Sequence, residues 1–187
     1  MNRVGIFLIV LITACLSACA SFPTQIGKNK SLAYGGLLFD NKKIEVTGID
    51  ARPIDQIIGI ATPLKIVGKN EFIAESWKPG KYYIDVIHFN VPHGVFGIKQ
   101  DEKMYVSRDS KLFFEIKENE INNIGSFHCE IVSKFGSADQ FNVIEQGGEI
   151  DRIVLNDIIK LAEKSEWHEK LLQYYNKKFN KSSEAGI

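Results

Sequence analysis

Short segments of alternating apolar and polar residues, separated by turns, occupy most of this chain between Leu32 and Gln146. In KLFFEIKENE, Leu112, Phe114 and Ile116 stand at every second position, which is typical of a strand with one buried face. Turns that contain proline and glycine, such as KPGK, separate these segments. About eight or nine short strands of this kind predict a sandwich or a barrel.

The pattern changes after the last predicted strand. Between residues 151 and 164, Val154, Ile158 and Leu161 recur at helical spacing, and Ser165 is a favourable N-cap for a second helix. Both helices carry an apolar stripe that must be buried, so we expect them to pack on the sheet. The predicted fold class is mainly β: an antiparallel β-sandwich followed by a C-terminal helical pair.

The N-terminus predicts export. Arg3 precedes an apolar run of about 11 residues, which is too short to cross a bilayer but suits a signal peptide. The run ends in Leu16-Ser17-Ala18-Cys19, which resembles the lipobox of bacterial lipoproteins. The resemblance implies a diacylglycerol on the Cys19 sulfur and cleavage before Cys19. An uncleaved membrane anchor and an ordinary secretory signal are the alternatives.

The lipoprotein resemblance also implies a location. Each buried methylene contributes about 0.8 kcal/mol, so two or three acyl chains on one residue make attachment effectively permanent. Ala20 follows Cys19, whereas an aspartate there usually retains such proteins at the inner membrane. We therefore expect a lipid-anchored protein, at the outer membrane and facing the periplasm.

The predicted organisation has five parts. They are a signal peptide over 1–18, a flexible tether over 19–30, a β-sandwich over 31–148, packed helices over 149–180 and a disordered tail over 181–187.

Charge and cysteine content exclude some functions. Removing Arg3 from the 23 basic side chains leaves 22 against 23 acidic ones, so no basic excess favours a nucleic-acid partner. Apart from the lipidated cysteine, the processed chain would keep only Cys129. Cys129 shares strand parity with Phe127 and Ile131, which predicts that its thiol is buried.

Three longer stretches carry a second resemblance: FIAESWKPGKYYIDVIHF, FFEIKENEINNIGSFHCEI and the late helix EKSEWHEKLLQYYNKKF. They resemble the prealbumin-like β-sandwich of carboxypeptidase regulatory domains and of small bacterial lipoproteins. This resemblance implies a fold and a location, but it assigns no activity.

Aromatic residues around the KPGK turn are the first candidate site. Trp77, Tyr82 and Tyr83 could form a ligand platform at one end of the sandwich, because loops on rigid scaffolds often bind ligands. Packing in the core is the alternative role for these rings. Strand parity predicts one face with Tyr82, Ile84, Val86 and His88, and an opposite face with Tyr83, Asp85, Ile87 and Phe89.

Histidines are the second candidate site. His88 and His93 could approach one metal together with Asp85 or His128 if the chain turns at the intervening proline. Two ligands do not make a site, so surface histidines are the alternative and no metal or other cofactor is predicted.

The sequence contains one partial match to a catalytic motif. HEKLL begins like a zinc-protease helix at His168, but Leu172 occupies the second histidine position. The chain contains no nucleophile elbow or phosphate loop. The sequence therefore favours a non-catalytic envelope module that binds a protein or an envelope polymer. An envelope hydrolase acting on peptidoglycan or peptides is the alternative.

Overall fold

The computed structural model describes residues 21–27, 31–40, 43–55, 60–93, 98–106, 112–132 and 140–180. Within them, nine strands precede two helices, which confirms the prediction of a mainly β chain with C-terminal helices. The strands are β1 (Leu32–Phe39), β2 (Glu45–Pro53), β3 (Thr62–Ile66), β4 (Glu71–Glu75), β5 (Gly80–His93), β6 (Ile98–Tyr105), β7 (Phe113–Ile116), β8 (Ile121–Val132) and β9 (Gln140–Gln146). The helical elements are α1 (Gly148–Leu161), α2 (Trp167–Tyr175) and a π-helical turn (Asn176–Asn180).

Some predicted features lie outside the described residues. They are the signal peptide over 1–18, the lipid-attachment residue Cys19 and the tail over 181–187. Among the residues that are described, no helix is long and apolar enough to cross a membrane.

All nine described strands belong to one mixed sheet, ordered β6-β5-β2-β3-β4-β1-β8-β9, with β7 beside β5. β3 joins the two halves of this sheet, because Leu64 pairs with β2 and Ile66 pairs with β4. The expectation of purely antiparallel strands is wrong for β1 and β8, which run parallel. Parallel neighbours need a long connection, and the six intervening strands provide it.

The sheet curls so that its halves face each other across a shared apolar cluster, here called the inner core. Strands β1, β4 and β8 contribute from one half, and β2, β5 and β7 contribute from the other. Its buried members are Ala33, Leu37, Phe39, Ile44, Val46, Ile49, Ala51, Leu64, Phe72, Ala74, Tyr82, Ile84, Ile87, Phe89, Val106, Leu112, Phe114, Ile116, Ile124, Phe127 and Cys129.

The helices cover the outside of the β1 and β4 half and bury a second cluster, here called the outer core. Its members are Phe22, Leu32, Tyr34, Val67, Ile73, Ile150, Val154, Leu155, Ile158, Ile159, Ala162, Trp167 and Leu171. At Gly36 an added Cβ would lie 2.7 Å from a methyl group of Val154, so glycine there lets α1 approach β1 closely. β1 is therefore buried on both faces, between the inner and outer cores.

The segment Ser21–Gly27 packs against the folded domain, and the prediction of a flexible tether is wrong for these residues. Phe22 is buried in the outer core. The Glu166 N–H donates to the carbonyl oxygen of Thr24 at 3.0 Å. The partners of this segment lie far along the chain, so its proline, glycine and polar composition could not reveal the docking.

A β-bulge in β5 changes the predicted strand parity. Asp50 pairs with Val86 and Ala51 pairs with Ile84, so Asp85 has no Cα partner on β2. The side chains that enter the inner core are Tyr82, Ile84, Ile87 and Phe89. The predicted grouping of His88 with Tyr82 and Ile84 is therefore wrong, because one extra residue moves the rest of the strand to the other face.

Candidate functional site

The aromatic residues predicted as a ligand platform are divided between two faces of β5. The Trp77 and Tyr82 ring centroids lie 5.2 Å apart, and Tyr82 stacks on Phe114 at 5.6 Å within the inner core. Tyr83 instead lies 6.2 Å from the ring of Phe113. Trp77 and Tyr82 therefore serve as packing at the end of the inner core, and the three predicted residues do not form one surface.

The predicted histidine residues are not brought together with the expected carboxylate. His88 Nε2 lies 3.4 Å from Asp50 Oδ2, whereas Asp85 accepts a 2.6 Å hydrogen bond from Arg52. This bond, with its charge, raises the pKa of the Arg52 guanidinium. His93 ends β5, and its side chain lies outside the described part. Among the described residues, no three histidine, cysteine or acidic side chains cluster in a way that could hold a metal.

The prediction that Cys129 is buried is confirmed. Its exposed fraction is 0%, and burial raises the pKa of the thiol to about 12. The neighbouring His128 points elsewhere, with Nε2 lying 2.9 Å from Asp40 Oδ1. Since a thiolate is the reactive form of cysteine, this thiol is unsuited to nucleophilic chemistry at neutral pH.

A polar network surrounds the buried carboxylate of Asp151 inside the helical layer. Asp151 Oδ1 accepts hydrogen bonds from Tyr34 Oη at 3.2 Å, Asn123 Nδ2 at 2.9 Å and Ser126 Oγ at 2.9 Å. Lys178 Nζ donates to the other oxygen, Oδ2. Burial first, and then the Asp151 charge, raise the pKa of Tyr34. Asp151 is only 3% exposed, and its hydrogen bonds join α1 to β1 and β8.

An open groove lies between α2 and the turn that connects β7 to β8. Its volume is about 450 Å³, within the range of roughly 300–1,000 Å³ usual for ligand pockets. Its lining residues are Asn119, Glu120, Ile121, Trp167, Lys170, Gln173, Tyr174 and Lys177. The four from Lys170 onward follow helical spacing, so they form one wall.

The opposite wall of this groove, here called the α2 groove, is rigidly held. Asn119 adopts a left-handed backbone, with φ at 60°. The Asn122 side chain accepts the Lys117 N–H at 3.1 Å and donates to the Glu120 carbonyl at 3.2 Å. The Leu32 N–H also donates to the Glu120 carbonyl, at 3.1 Å. These bonds join the turn to itself and to β1, which gives a ligand a preformed surface.

The α2 groove carries a net positive charge. Lys170 and Lys177 lie on its helical wall and Glu120 lies on the turn. The Lys170 ammonium lies 5.3 Å from the centroid of the Trp167 ring. Trp167 is 1% exposed, and its indole N–H donates to Glu75 at 3.0 Å. The groove therefore combines two lysines with polar side chains around the edge of a fixed indole, an arrangement suited to a ligand that carries carboxylates.

Sequence reasoning missed the residues of this groove. The polar positions Lys170, Gln173 and Lys177 share one face of a helix that was noticed only for its apolar stripe. Their common face could have been read from spacing alone. The second wall, at Asn119 and Glu120, lies about 50 positions earlier, and only the fold brings it alongside.

No protein-family model, curated protein or solved structure compared with this chain matches it.

Proposed function

We propose that this protein is a lipoprotein, anchored through lipid on Cys19 and facing the periplasm from the outer membrane. Its domain acts as a non-catalytic binding module of the cell envelope. The α2 groove binds a ligand that carries carboxylates, either on a protein or on an envelope polymer. The observation that carries this proposal is the placement of Lys170 and Lys177 opposite the rigid turn at Asn119.

Two features support the anchor. Leu16-Ser17-Ala18-Cys19 follows an apolar run that is too short to cross a bilayer. Phe22, three residues after Cys19, packs in the outer core, so signal peptide cleavage before Cys19 would leave this contact in place.

The state of the buried reactive groups supports a non-catalytic role. The Cys129 thiol is fully buried and keeps its proton at neutral pH. The Asp151 carboxylate is surrounded by four donors and has no contact with an open groove. These groups stabilise the fold, and what the α2 groove offers is hydrogen-bonding and charged side chains.

For the fold, we infer a variant of the prealbumin-like sandwich. Two sheet halves facing each other over the inner core support this inference. In this variant β3 joins both halves, and the helices cover the outer face of one half.

The groove is tested by charge reversal. The double variant Lys170→Glu/Lys177→Glu should lose the partner captured by the wild-type protein from solubilised membranes. Lys65→Glu/Lys81→Glu is the matched control, because both side chains are exposed and the net charge changes equally. Equal capture by the two double variants would contradict the assignment of the groove. Cleavage of peptidoglycan or peptides by the purified protein would favour the hydrolase alternative.

The anchor is tested separately. Cys19→Ala should abolish fatty-acid labelling and release the protein from the membrane fraction. Labelling that persists in this variant would refute the lipid attachment at Cys19.

A further inference from the structure

The chain that follows the proposed lipid-attachment residue is fixed to the helical layer. Phe22 is 8% exposed within the outer core. Ser165 Oγ donates to the carbonyl oxygen of Pro23, and the Ile26 N–H donates to a carboxylate oxygen of Glu166 at 3.2 Å. The Gly27 N–H donates to Glu75 at 3.3 Å, which is the same oxygen that accepts the Trp167 indole N–H. Contacts of this kind along Ser21–Gly27 hold the segment in one position.

The distance from the lipid to this fixed segment is short. Ser21 follows Cys19 by two residues, and an extended chain spans at most roughly 3.3–3.6 Å per residue, so the two Cα atoms lie within about 7 Å. A lipid attached at Cys19 would be embedded in the bilayer. The surface around Ser21 would then lie within a few ångströms of the phospholipid headgroups.

The surface around Ser21 has the chemistry of a membrane interface. A groove of about 400 Å³ lies between Ser21–Thr24 and the C-terminal end of α1, lined there by Lys160, Leu161 and Lys164. Glu163 contributes one negative charge to the same lining, and the Lys160 ammonium lies 2.8 Å from a carboxylate oxygen of Asp157. The Leu161 side chain is 38% exposed. An exposed leucine flanked by two lysines can rest at the headgroup boundary, with its methyl groups inward and the ammonium groups at the phosphates.

We propose that this surface contacts phospholipid headgroups, so that the domain has one fixed orientation on the membrane. This surface, here called the membrane face, consists of Ser21–Thr24, Lys160, Leu161 and Lys164. The proposal rests on the lipid anchor at Cys19. Without this contact, the domain would rotate freely on its lipid anchor. With it, the C-terminal end of α1 faces the bilayer and the N-terminal end of α1 points away.

The experiment compares the two ends of α1 in the full-length lipidated protein. Leu161→Cys and Glu149→Cys each receive the fluorophore NBD and are reconstituted in vesicles of phosphatidylethanolamine and phosphatidylglycerol. Fourteen helical residues separate the ends by about 20 Å. Cys129 is fully buried, so the added thiol takes the label. Dithionite should reduce the label at 161 several-fold more slowly than the label at 149.

A linker variant isolates the effect of the docked segment. About twelve glycine and serine residues inserted between Ala20 and Ser21 add an average reach of roughly 20 Å. The insertion should bring the two reduction rates together while fatty-acid labelling stays unchanged. Equal rates in the lipidated protein without the linker would overturn the orientation and leave the anchor standing.

Two other outcomes would overturn the membrane face. Absence of fatty-acid labelling on the wild-type protein would refute the anchor and the orientation together. Protection of position 161 in the soluble Cys19→Ala protein without vesicles would assign this surface to a second copy of the chain.

Discussion

The inner core and the outer core differ in what holds them together. The inner core is formed by apolar side chains and one thiol between the two halves of the sheet. The outer core packs helices on the other face of β1 and includes Tyr34, which donates to the buried carboxylate of Asp151. Apolar contacts are not directional, whereas a buried charge requires donors at defined positions. The inner core therefore stabilises the sheet, and the Asp151 network specifies where the helices lie on it.

The side chain of Lys178 joins the C-terminal π-helical turn to the outer core. Its ammonium donates to Asp151 and lies 5.5 Å to 5.9 Å from the ring centroids of Phe179, Tyr174 and Tyr34. Cation–π contact and ion pairing at one residue thus hold the π-helical turn against the outer core. Because Tyr174 also lines the α2 groove, the network supports the wall of that groove from behind.

Removal of the outer core should have the largest effect. Deleting all residues after Gly148 exposes the outer face of β1, including Leu32 and Tyr34, and removes Val154, Leu155 and Ile158. Each fully buried large apolar side chain contributes about 1.5–3 kcal/mol to stability, so we expect the free energy of unfolding to fall by several times that amount. Urea unfolding measures it. An unchanged midpoint would mean that the sheet is stable without its helical layer.

Asp151→Ala should have the next largest effect. It leaves three neutral donors and the ammonium of Lys178, an exposed residue, without their acceptor, and each buried donor left unsatisfied costs about 1–3 kcal/mol. Asp157→Ala on the same helix is the control, because its partner Lys160 is solvent-exposed and such surface pairs contribute at most about 1 kcal/mol. Similar free energies of unfolding for the two variants would refute a structural role for the network.

The thiol of the inner core should make stability depend on alkaline pH. Burial raises the pKa of Cys129 to about 12, whereas an unfolded thiol titrates near about 8.5. The thiol of the unfolded chain loses its proton at the lower pH. Below a pH of about 8.5, this titration therefore leaves the free energy of unfolding unchanged. Between the pKa of the unfolded thiol and that of the folded thiol, the free energy of unfolding falls by at most about 1.4 kcal/mol per pH unit. Cys129→Ala should reduce this slope in urea unfolding measured at increasing pH. Identical slopes would indicate that other groups cause the loss.

Loss of the Ser165 hydroxyl, which bonds to the segment Ser21–Gly27, should have the smallest effect on stability. The Ser165 hydroxyl donates to the carbonyl of Pro23 and accepts the Trp167 N–H at 3.1 Å. The N-cap of α2 is Glu166, so the prediction of Ser165 as its N-cap is wrong. Ser165→Ala should lower the free energy of unfolding by about 1 kcal/mol, as the loss of a hydrogen bond typically does. Glu163→Ala, an exposed neighbour, serves as the control in the same unfolding assay. If the two variants unfold alike, the Ser165 contacts contribute little to docking.

Local patterns predicted the elements of this fold well. Alternation predicted the strands, and parity predicted the burial of Cys129 beside Phe127. In β5 the parity rule failed at Asp85, because the bulge results from pairing with β2 and cannot be recognised from the sequence of β5 alone. Ser21–Gly27 was misread for a similar reason, since its hydrogen-bond partners Glu75 and Glu166 are distant in sequence.

The sequence by itself determined which residues alternate and where the turns and helices occur, because these depend on neighbours along the chain. Only the tertiary structure decided that β1 pairs in parallel with β8 and that Asp151 meets Tyr34 and Lys178. It also placed Lys170 opposite Asn119. The reason is physical: burial and hydrogen bonding between distant segments are satisfied by the whole packed chain, and a short stretch specifies only its own backbone preferences.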